Sequence, residues 1–435
     1  MSRKWLILPI VSFIILAAHN LRIGSVNLAL LWLCFVSLLF VKNSWVKYIL
    51  TLSLLIGSVL WIKISLTLIQ FRLIFNLPWI RLSLILGGVL IILLISIFII
   101  LAKGDLLFPR KKSSSHFQLA SFLLSFILLS LAEYKTSFPI LLGNRFSLPL
   151  GFTEIFILST YSAWLTGKFL EPHKNKQLRP KIWLLFSCVF FAQLIFGLLG
   201  IQQMLMTGKL HLPIPALIVA GPIYRGNGFF MLILFISTIF LVGPAWCSYL
   251  CYIGAWDDFV SRQASTIKPL SKKTKWFQFI NLILVIVVAY LLHFFNISWQ
   301  IATFLAIIFG IIGFIIMIYF SKQRGQMVHC TTFCPIGFLS NILGKISPWR
   351  LKINPNLCSQ CKKCISVCRY NALDLSKLTK GTPNISCTLC GDCIDECKSK
   401  AINLYLLNLN PSLSQKIFFT VISSIHAIFL GVARI

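Results

Sequence analysis

Eight cysteines near the end of this chain constrain its fold more than any other feature. The spacing C-x2-C-x2-C-x3-C occurs twice, first at Cys358, Cys361, Cys364 and Cys368 and then at Cys387, Cys390, Cys393 and Cys397. Three closely spaced thiolates of such a run reach three irons of one cubane cluster, and the fourth, one helical turn away, faces a second cluster. The spacing therefore predicts a small domain that holds two [4Fe–4S] clusters.

The crossed arrangement also predicts which cysteines share a cluster. The first cluster is expected on Cys358, Cys361, Cys364 and Cys397, and the second on Cys387, Cys390, Cys393 and Cys368. Two zinc sites are the alternative, but structural zinc uses two C-x2-C pairs for each ion instead of an even triplet plus one. The pattern is that of bacterial two-cluster ferredoxins and indicates electron transfer.

Two residues depart from that pattern. A proline normally follows the fourth cysteine of each run, and here Arg369 and Lys398 take its place. Proline is not a ligand, so cluster binding is unaffected. A cation beside a cluster is expected to favour the reduced form of the cluster.

The rest of the chain has the composition of a membrane protein. Hydrophobic residues make up 58% of it and charged residues 11%, and the mean hydropathy is +0.88. Apolar runs close to the length needed to cross a bilayer predict helices near 5–19, 28–41, 45–62, 79–101, 117–134, 150–169, 182–206, 228–246, 276–295, 298–320 and 416–433. The predicted fold is mainly α: a polytopic membrane protein of about ten or eleven transmembrane helices with a small ferredoxin-like α+β domain.

The loop charges predict an orientation. Lys and Arg are concentrated in alternate loops, for example at Arg110, Lys111 and Lys112, which places the N-terminus and the ferredoxin domain on the cytoplasmic side of a bacterial or archaeal inner membrane. A reducing compartment also suits free thiolates. The net charge of +30 has the same explanation together with anionic lipid, so nucleic acid is not an expected partner.

A second cysteine pattern lies in the membrane part. The sequence C-x3-C-x-I-G begins at Cys247 and again at Cys330, each time after a predicted helix that runs towards the cytoplasm. This is an internal repeat of a two-helix unit. If the backbone stays helical, Cys247 and Cys251 share one face, as do Cys330 and Cys334, and the two pairs would converge on a four-thiol site. Such a site would bind iron–sulfur or zinc, or act as two dithiols; the alternative is simple packing between helices.

These motifs together resemble the NapH/NosR-type membrane iron–sulfur proteins, over roughly residues 180–405. The resemblance implies electron transfer at the bacterial cytoplasmic membrane, often from quinol towards a terminal reductase or its maturation system. The membrane cysteine positions of that family correspond to Cys247, Cys251, Cys330 and Cys334, and its cluster positions to the eight cysteines above. Tyr252 replaces the proline expected after the first pair.

Few acidic residues lie in the membrane part. Glu133 and Glu154 are near the ends of consecutive helices and are candidate proton acceptors for a quinol, or interfacial acids that pair with Lys135 and Arg145. Asp257 and Asp258 after the first thiol pair are expected at the surface or as hydrogen-bond partners of ligands.

The domain organisation follows from these features. Residues 1–110 form transmembrane helices of unknown role, 111–350 a transmembrane electron-transfer domain, 351–408 the ferredoxin domain and 409–435 an apolar helix. The predicted function is electron transfer from a membrane donor, which the resemblance implies is a quinol, to a redox partner protein. A factor that reduces metal during maturation of another metalloenzyme or oxidase is the alternative. No motif for haem, flavin or nucleotide occurs. His293 is expected to be a structural histidine at a helix end, and Cys34 and Cys188, which lack neighbouring cysteines, are expected to be buried.

Overall fold

The structure is a computed structural model that describes residues 3–108, 115–136, 138–147, 150–204, 212–271 and 273–432. The loop cations Arg110, Lys111 and Lys112 lie outside the described residues. The chain divides into two compact units, Met1–Gly167 and Lys168–Ile435, and each is described by itself.

Long apolar helices form the first unit. After a short 3-10 turn at Arg3–Leu6, the α-helices are α1 (Ile7–Arg22), α2 (Val26–Leu38), α3 (Ser44–Ile74), α4 (Ile80–Leu107), α5 (Ser115–Lys135), α6 (Leu142–Phe146) and α7 (Leu150–Phe169). Aromatic side chains join α1 to α2, where Phe13 stacks on Trp32 and Phe35. Buried serines also pair between helices: the hydroxyls of Ser12 and Ser96 are 2.8 Å apart. Such pairs satisfy polar groups that lipid cannot.

Helices and a two-stranded sheet make up the second unit. The α-helices are α8 (Asn175–Leu198), α9 (Leu217–Arg225), α10 (Phe230–Val242), α11 (Trp246–Tyr249), α12 (Tyr252–Ser261), α13 (Thr274–Phe294), α14 (Trp299–Ile316), α15 (Lys322–Arg324), α16 (Pro335–Leu343), α17 (Lys363–Val367), α18 (Leu375–Lys380), α19 (Asp392–Glu396) and α20 (Pro411–Val432). Two π-helical turns occur at Met317–Ser321 and His329–Phe333, and 3-10 turns at Gln202–Met204, Gly243–Ala245 and Pro355–Leu357.

Nine helices in the described part of the chain are long and apolar enough to cross a membrane: Lys4–Arg22, Ser44–Ile74, Ile80–Leu107, Ser115–Lys135, Asn175–Leu198, Phe230–Tyr249, Thr274–Phe294, Trp299–Arg324 and Pro411–Val432. This confirms a polytopic helical membrane protein.

Two of the predicted transmembrane helices are not among these nine. Helix α2 has 13 residues and so extends only about 20 Å, against a hydrocarbon core of about 30 Å. Helix α7 is 20 residues long but carries Glu154, Lys168 and several Ser and Thr residues.

The ferredoxin segment is enclosed by an antiparallel strand pair. Strand β1 (Trp349–Ile353) pairs with β2 (Ile402–Leu406), with Trp349 opposite Leu406 and Ile353 opposite Ile402. Residues alternate between buried and exposed along β1, as expected for a strand with one face on a core. Both cysteine runs lie between the strands, and each ends in a short helix, α17 or α19, which pack on each other. The predicted small α+β domain is confirmed.

Candidate metal centre

The two C-x3-C pairs come together in the second unit. All four thiols, Cys247, Cys251, Cys330 and Cys334, line one small cavity, called here the thiol cavity. The backbone does not stay helical through either motif. Cys251 and Cys334 are both extended, with φ/ψ of −78°/117° and −65°/116°, so each motif breaks its helix at the second cysteine.

Both second cysteines lie immediately before the helix that follows. Cys251 precedes α12, and the backbone N–H groups of Ile253 and Gly254 lower the pKa of its thiol, against the larger effect of burial. Cys334 precedes α16, and the N–H groups of Ile336 and Gly337 act on the pKa of its thiol in the same way. A helix N-terminus favours negative charge, so these amides stabilise a thiolate at both positions. Tyr252 in place of proline does not change the turn.

The glycine of each motif permits a close backbone approach. A Cβ on Gly254 would lie 3.0 Å from the carbonyl oxygen of Cys247, and one on Gly337 would lie 2.7 Å from that of Cys330. Any larger residue would push the first cysteine of the motif away from the second. The sequence repeat is therefore the same turn built twice, and both copies point a thiol pair at one cavity.

Burial dominates the electrostatics of this site. It raises the pKa of the Cys334 thiol to about 11 and the pKa of Cys251 well above the ordinary range, and the neighbouring thiols raise the pKa of Cys251 further. Four crowded, buried thiols resist ionisation unless a cation compensates them, and metal binding releases their protons. No three His, Cys, Asp or Glu side chains in the described ranges are spaced to hold a single metal ion. A cluster spreads its ligands over several irons, so the donor set and the amide N–H groups fit an iron–sulfur cluster.

The eight ferredoxin cysteines fall into two groups. The outer group is Cys358, Cys361, Cys364 and Cys397, and the inner group is Cys368, Cys387, Cys390 and Cys393. Burial first, and then the neighbouring thiols of Cys358 and Cys397, raise the pKa of Cys364 to about 11. Burial likewise raises the pKa of Cys393, with smaller effects from the three other inner thiols. Cys397 of the second run thus acts on the pKa of Cys364 in the first, and Cys368 of the first run acts on the pKa of Cys393 in the second. The assignment of four cysteines to each cluster stays a prediction.

Backbone amides also interact with a sulfur of the inner group. The N–H of Ala372 donates to the sulfur of Cys368 at 3.3 Å, and the N–H groups of Tyr370 and Leu373 point at the same sulfur. Hydrogen bonds of this kind stabilise cluster thiolates and adjust the reduction potential. These sulfurs therefore have the environment of cluster ligands.

The inner group lies beside the thiol cavity. Tyr370, Ser386 and Thr388 of the ferredoxin segment help to line that cavity together with the four C-x3-C thiols. Around Trp183 and Tyr370, Cys330 packs in the same cluster of side chains as three inner cysteines, Cys368, Cys387 and Cys390. The thiol cavity and the inner group are therefore immediate neighbours.

A buried ion-pair network fixes this contact. The guanidinium of Arg179 is 1% exposed, and its Nη2 lies 2.8 Å from Asp392 Oδ2 and 3.3 Å from Asp258 Oδ1. Arg262 contacts the same two carboxylates at 3.0 and 2.6 Å. Burial alone would raise the pKa of Asp258, but the two guanidinium groups outweigh it and lower that pKa. Sequence reasoning missed Arg179; an arginine near the start of an apolar helix was the available signal.

The two aspartates after the first thiol pair are not at the surface. Asp257 and Asp258 are 0% and 2% exposed, so the surface expectation was wrong. Asp257 Oδ2 accepts the N–H of Cys330 at 2.9 Å, which is a bond to a candidate ligand. Burial raises the pKa of Asp257 to about 7 although Ser321 and Cys330 donate to it.

Arg369, which takes the place of proline after Cys368, also attaches the ferredoxin segment to other parts of the second unit. Arg369 Nη1 lies 2.7 Å from the carbonyl oxygens of both Ser261 and Gly325, and its own carbonyl accepts the N–H of Met327 at 2.9 Å. The effect of this cation on redox potential stays a prediction.

The two candidate proton acceptors lie together in the first unit. Glu133 accepts hydrogen bonds from the side-chain amide of Asn144 and the N–H of Leu141, and Glu154 accepts the N–H of Gly143 at 2.6 Å. Both carboxylates thus hold the turn around α6. A role in proton transfer stays a prediction.

The remaining candidates are structural or exposed. His293 Nδ1 lies 2.8 Å from the carbonyl oxygen of Tyr224 at a helix end, as expected for a structural histidine. Cys34 is half-buried and Cys188 is exposed, so the expectation that both are buried was wrong for Cys188.

Known protein families match the parts of the chain that carry the cysteines. Residues 224–276 and 303–354 match a family described as a 4Fe-4S binding domain, and these stretches contain both C-x3-C turns. Residues 351–374 match another family of the same description. These matches support an iron–sulfur electron-transfer role for the chain. The more specific resemblance to NapH/NosR-type proteins stays a prediction.

One curated relative matches part of the chain. The uncharacterized protein MJ0749 of Methanocaldococcus jannaschii is 27% identical over an alignment that covers 34% of this chain and 71% of the relative. No solved structure matches the chain.

Proposed function

We propose that this protein oxidises a quinol in the membrane and delivers the electrons, by way of the thiol cavity, to the ferredoxin segment and a partner protein. The observation that carries the proposal is the shared wall: Tyr370, Ser386 and Thr388 line the same cavity as the four C-x3-C thiols. Quinol oxidation releases two electrons and two protons, and one-electron acceptors can take up the two electrons one after the other. Iron–sulfur clusters supply that chemistry when bound.

The residues of the chain have distinct tasks in this proposal. The inner, outer and C-x3-C cysteines hold the clusters, and the amides at the starts of α12 and α16 stabilise the sulfurs of Cys251 and Cys334. Arg179 and Arg369 keep the ferredoxin segment against the thiol cavity. Glu133 and Glu154 are the proposed acceptors of the two protons.

The outer group is the proposed exit for electrons. Cys361 is exposed, and four exposed lysines lie close to it or to Cys397 along the chain: Lys362, Lys363, Lys398 and Lys400. A positive surface around a redox centre attracts an acidic partner and raises the rate of encounter. The expected partner is therefore an acidic electron acceptor.

The proposed location is the cytoplasmic membrane of a bacterium or archaeon, with the ferredoxin segment in the cytoplasm. The distribution of loop cations supports this orientation. A reporter enzyme that is active only in the cytoplasm, inserted after the exposed Lys380, is expected to be active. Activity of an exclusively external reporter at that position would contradict the orientation.

The central experiment uses anaerobically purified protein in proteoliposomes. Duroquinol is expected to reduce the wild-type clusters, while Cys247→Ser and Cys330→Ser abolish this reduction and dithionite still reduces the ferredoxin clusters. Cys188→Ser, at an exposed cysteine, is the matched control. Wild-type rates in the two variants would show that the C-x3-C thiols are not on the path. If quinols fail to reduce even the wild type, the proposal fails and the metal-reducing assembly role stands.

A further inference from the structure

The second unit contains a large apolar cavity beside the thiol cavity. Its volume is about 560 Å³, within the range of small-molecule sites. Among the residues around it are Ile214, Trp256, Phe309, Phe314 and Phe333, and two of these rings, Phe309 and Phe333, stack 4.7 Å apart. Such walls fit a flat ring with an apolar tail.

His329 places a polar side chain in the wall of this cavity. His329 is 7% exposed and lines the cavity. Its Nδ1 lies 3.1 Å from the carbonyl oxygen of Gly313, and because a carbonyl only accepts, Nδ1 carries the proton. In the neutral imidazole, Nε2 is then an acceptor. This nitrogen is buried and finds no hydrogen-bond partner among the residues that the structure describes.

The cavity also reaches the candidate metal centre. Cys334 lines both the apolar cavity and the thiol cavity. His329 begins the π-helical turn His329–Phe333 that leads to this cysteine, and π-helical turns are frequent at functional sites. A ring bound in the apolar cavity would therefore lie next to a thiol of the electron path.

We propose that this cavity binds the ring of a quinol, with one ring hydroxyl donating a hydrogen bond to His329 Nε2. The inference rests on the proposed function and locates its substrate. The bare acceptor nitrogen favours the hydroxyl of a quinol over the carbonyl of a quinone, which has no proton to donate. A lipid acyl chain also fits apolar walls, but it leaves the buried nitrogen unpaired.

The polar contact is tested with His329→Leu in proteoliposomes. The duroquinol concentration that gives half-maximal cluster reduction is expected to rise about tenfold, as for the loss of one buried hydrogen bond. The affinity for oxidised duroquinone as a competitor is expected to change less than about twofold. His293→Leu is the control, because that histidine bonds to Tyr224 and does not line the cavity. Equal effects on both redox forms would overturn the hydroxyl contact.

The location is tested without electron transfer. A photoreactive azidoquinone is expected to label peptides that contain residues 307–317 and 329–335. Gly310→Leu, which places a side chain in the cavity, is expected to remove the label, and Gly87→Leu, at a helical glycine with open space around it, is expected to keep it. Labelling elsewhere, or displacement by phospholipid as effective as by duroquinone, would overturn the site.

The two failures are distinguishable. One outcome is that duroquinol reduces the wild-type clusters, the azidoquinone does not label the cavity, and His329→Leu and Gly310→Leu have no effect. The site is then wrong and the proposed function stands. If the cavity is labelled but no quinol reduces the clusters, the proposed function is wrong, and so is the assignment of this cavity to a substrate.

Discussion

The inner and outer cysteine groups have the same ligands and spacing but opposite surroundings. The inner group lies against the thiol cavity behind the buried pair of Arg179 and Asp392. The outer group has an exposed member, Cys361, and lysines on the adjoining surface. Buried clusters exchange electrons only with fixed neighbours, whereas an exposed one can meet a diffusing partner. The difference teaches that the fold, not the motif, gives the two groups different neighbours, and in the proposed function this decides which group receives electrons and which delivers them.

The largest expected effect on the difference between the two groups comes from removing Cys368, which lies in the first run but is predicted to bind the inner cluster. Cys368→Ala is expected to lower the iron content from about eight to about four from the ferredoxin segment, with loss of the inner signal in electron paramagnetic resonance. Cys361→Ala is the matched control and should remove the outer signal instead. Loss of the outer signal on changing Cys368 would show that each run holds its own cluster.

The next effect concerns the buried ion pairs. Arg179→Met leaves Asp392 and Asp258 buried without their main cation and is expected to destabilise the folded protein by about 3–5 kcal/mol. Thermal unfolding and the rate of cluster loss to a chelator both measure this. Lys176→Met, which removes a pair to Glu396 that is about a third exposed, should change stability by less than about 1 kcal/mol. Equal effects would mean that the network does not hold the domain.

A smaller effect is expected from the residue that replaces proline. Arg369→Gln removes a cation near the inner group, which should lower the reduction potential of that cluster by tens of millivolts, on the order of 1 kcal/mol. Lys398→Gln, in the solvent beside the outer group, should shift the outer potential less. Redox titration with separate inner and outer signals checks both, and an unchanged inner potential would refute the effect.

The smallest effect belongs to the surface lysines. Lys363→Glu is expected to slow electron transfer to an acidic acceptor several-fold at low salt, and the difference should disappear as ionic strength rises. Lys352→Glu, on the exposed face of β1, is the charge-matched control. An equal effect of both changes would indicate that net charge alone matters and that the outer group has no special exit.

Local spacing carried the predictions that the structure supports. Apolar runs predicted nearly every long helix, because such runs depend on residues close in the sequence. The crossed cysteine groups, which also follow from local spacing, stay a prediction. The convergence of Cys251 and Cys334 was foreseen from the repeat, yet for the wrong local reason, since the helices break there. Arg179, Asp257 and His329 could not be assigned, because their partners Asp392, Cys330 and Gly313 are brought to them only by the fold.

The ferredoxin segment, which lies between strands β1 and β2, is joined to helices at both ends, and this affects the kinetics of its reduction. Helix α16 ends shortly before β1, and the long apolar helix α20 begins five residues after β2 at Pro411, so the ferredoxin segment is anchored at both ends. Soluble ferredoxins must find their donor by collision, so their rate falls on dilution. In the proposed function the donor side is the thiol cavity, which belongs to the same chain and so cannot be diluted away from the ferredoxin segment. Reduction of this segment should therefore be a unimolecular process with a rate independent of protein concentration, and only its discharge to the partner should be second order.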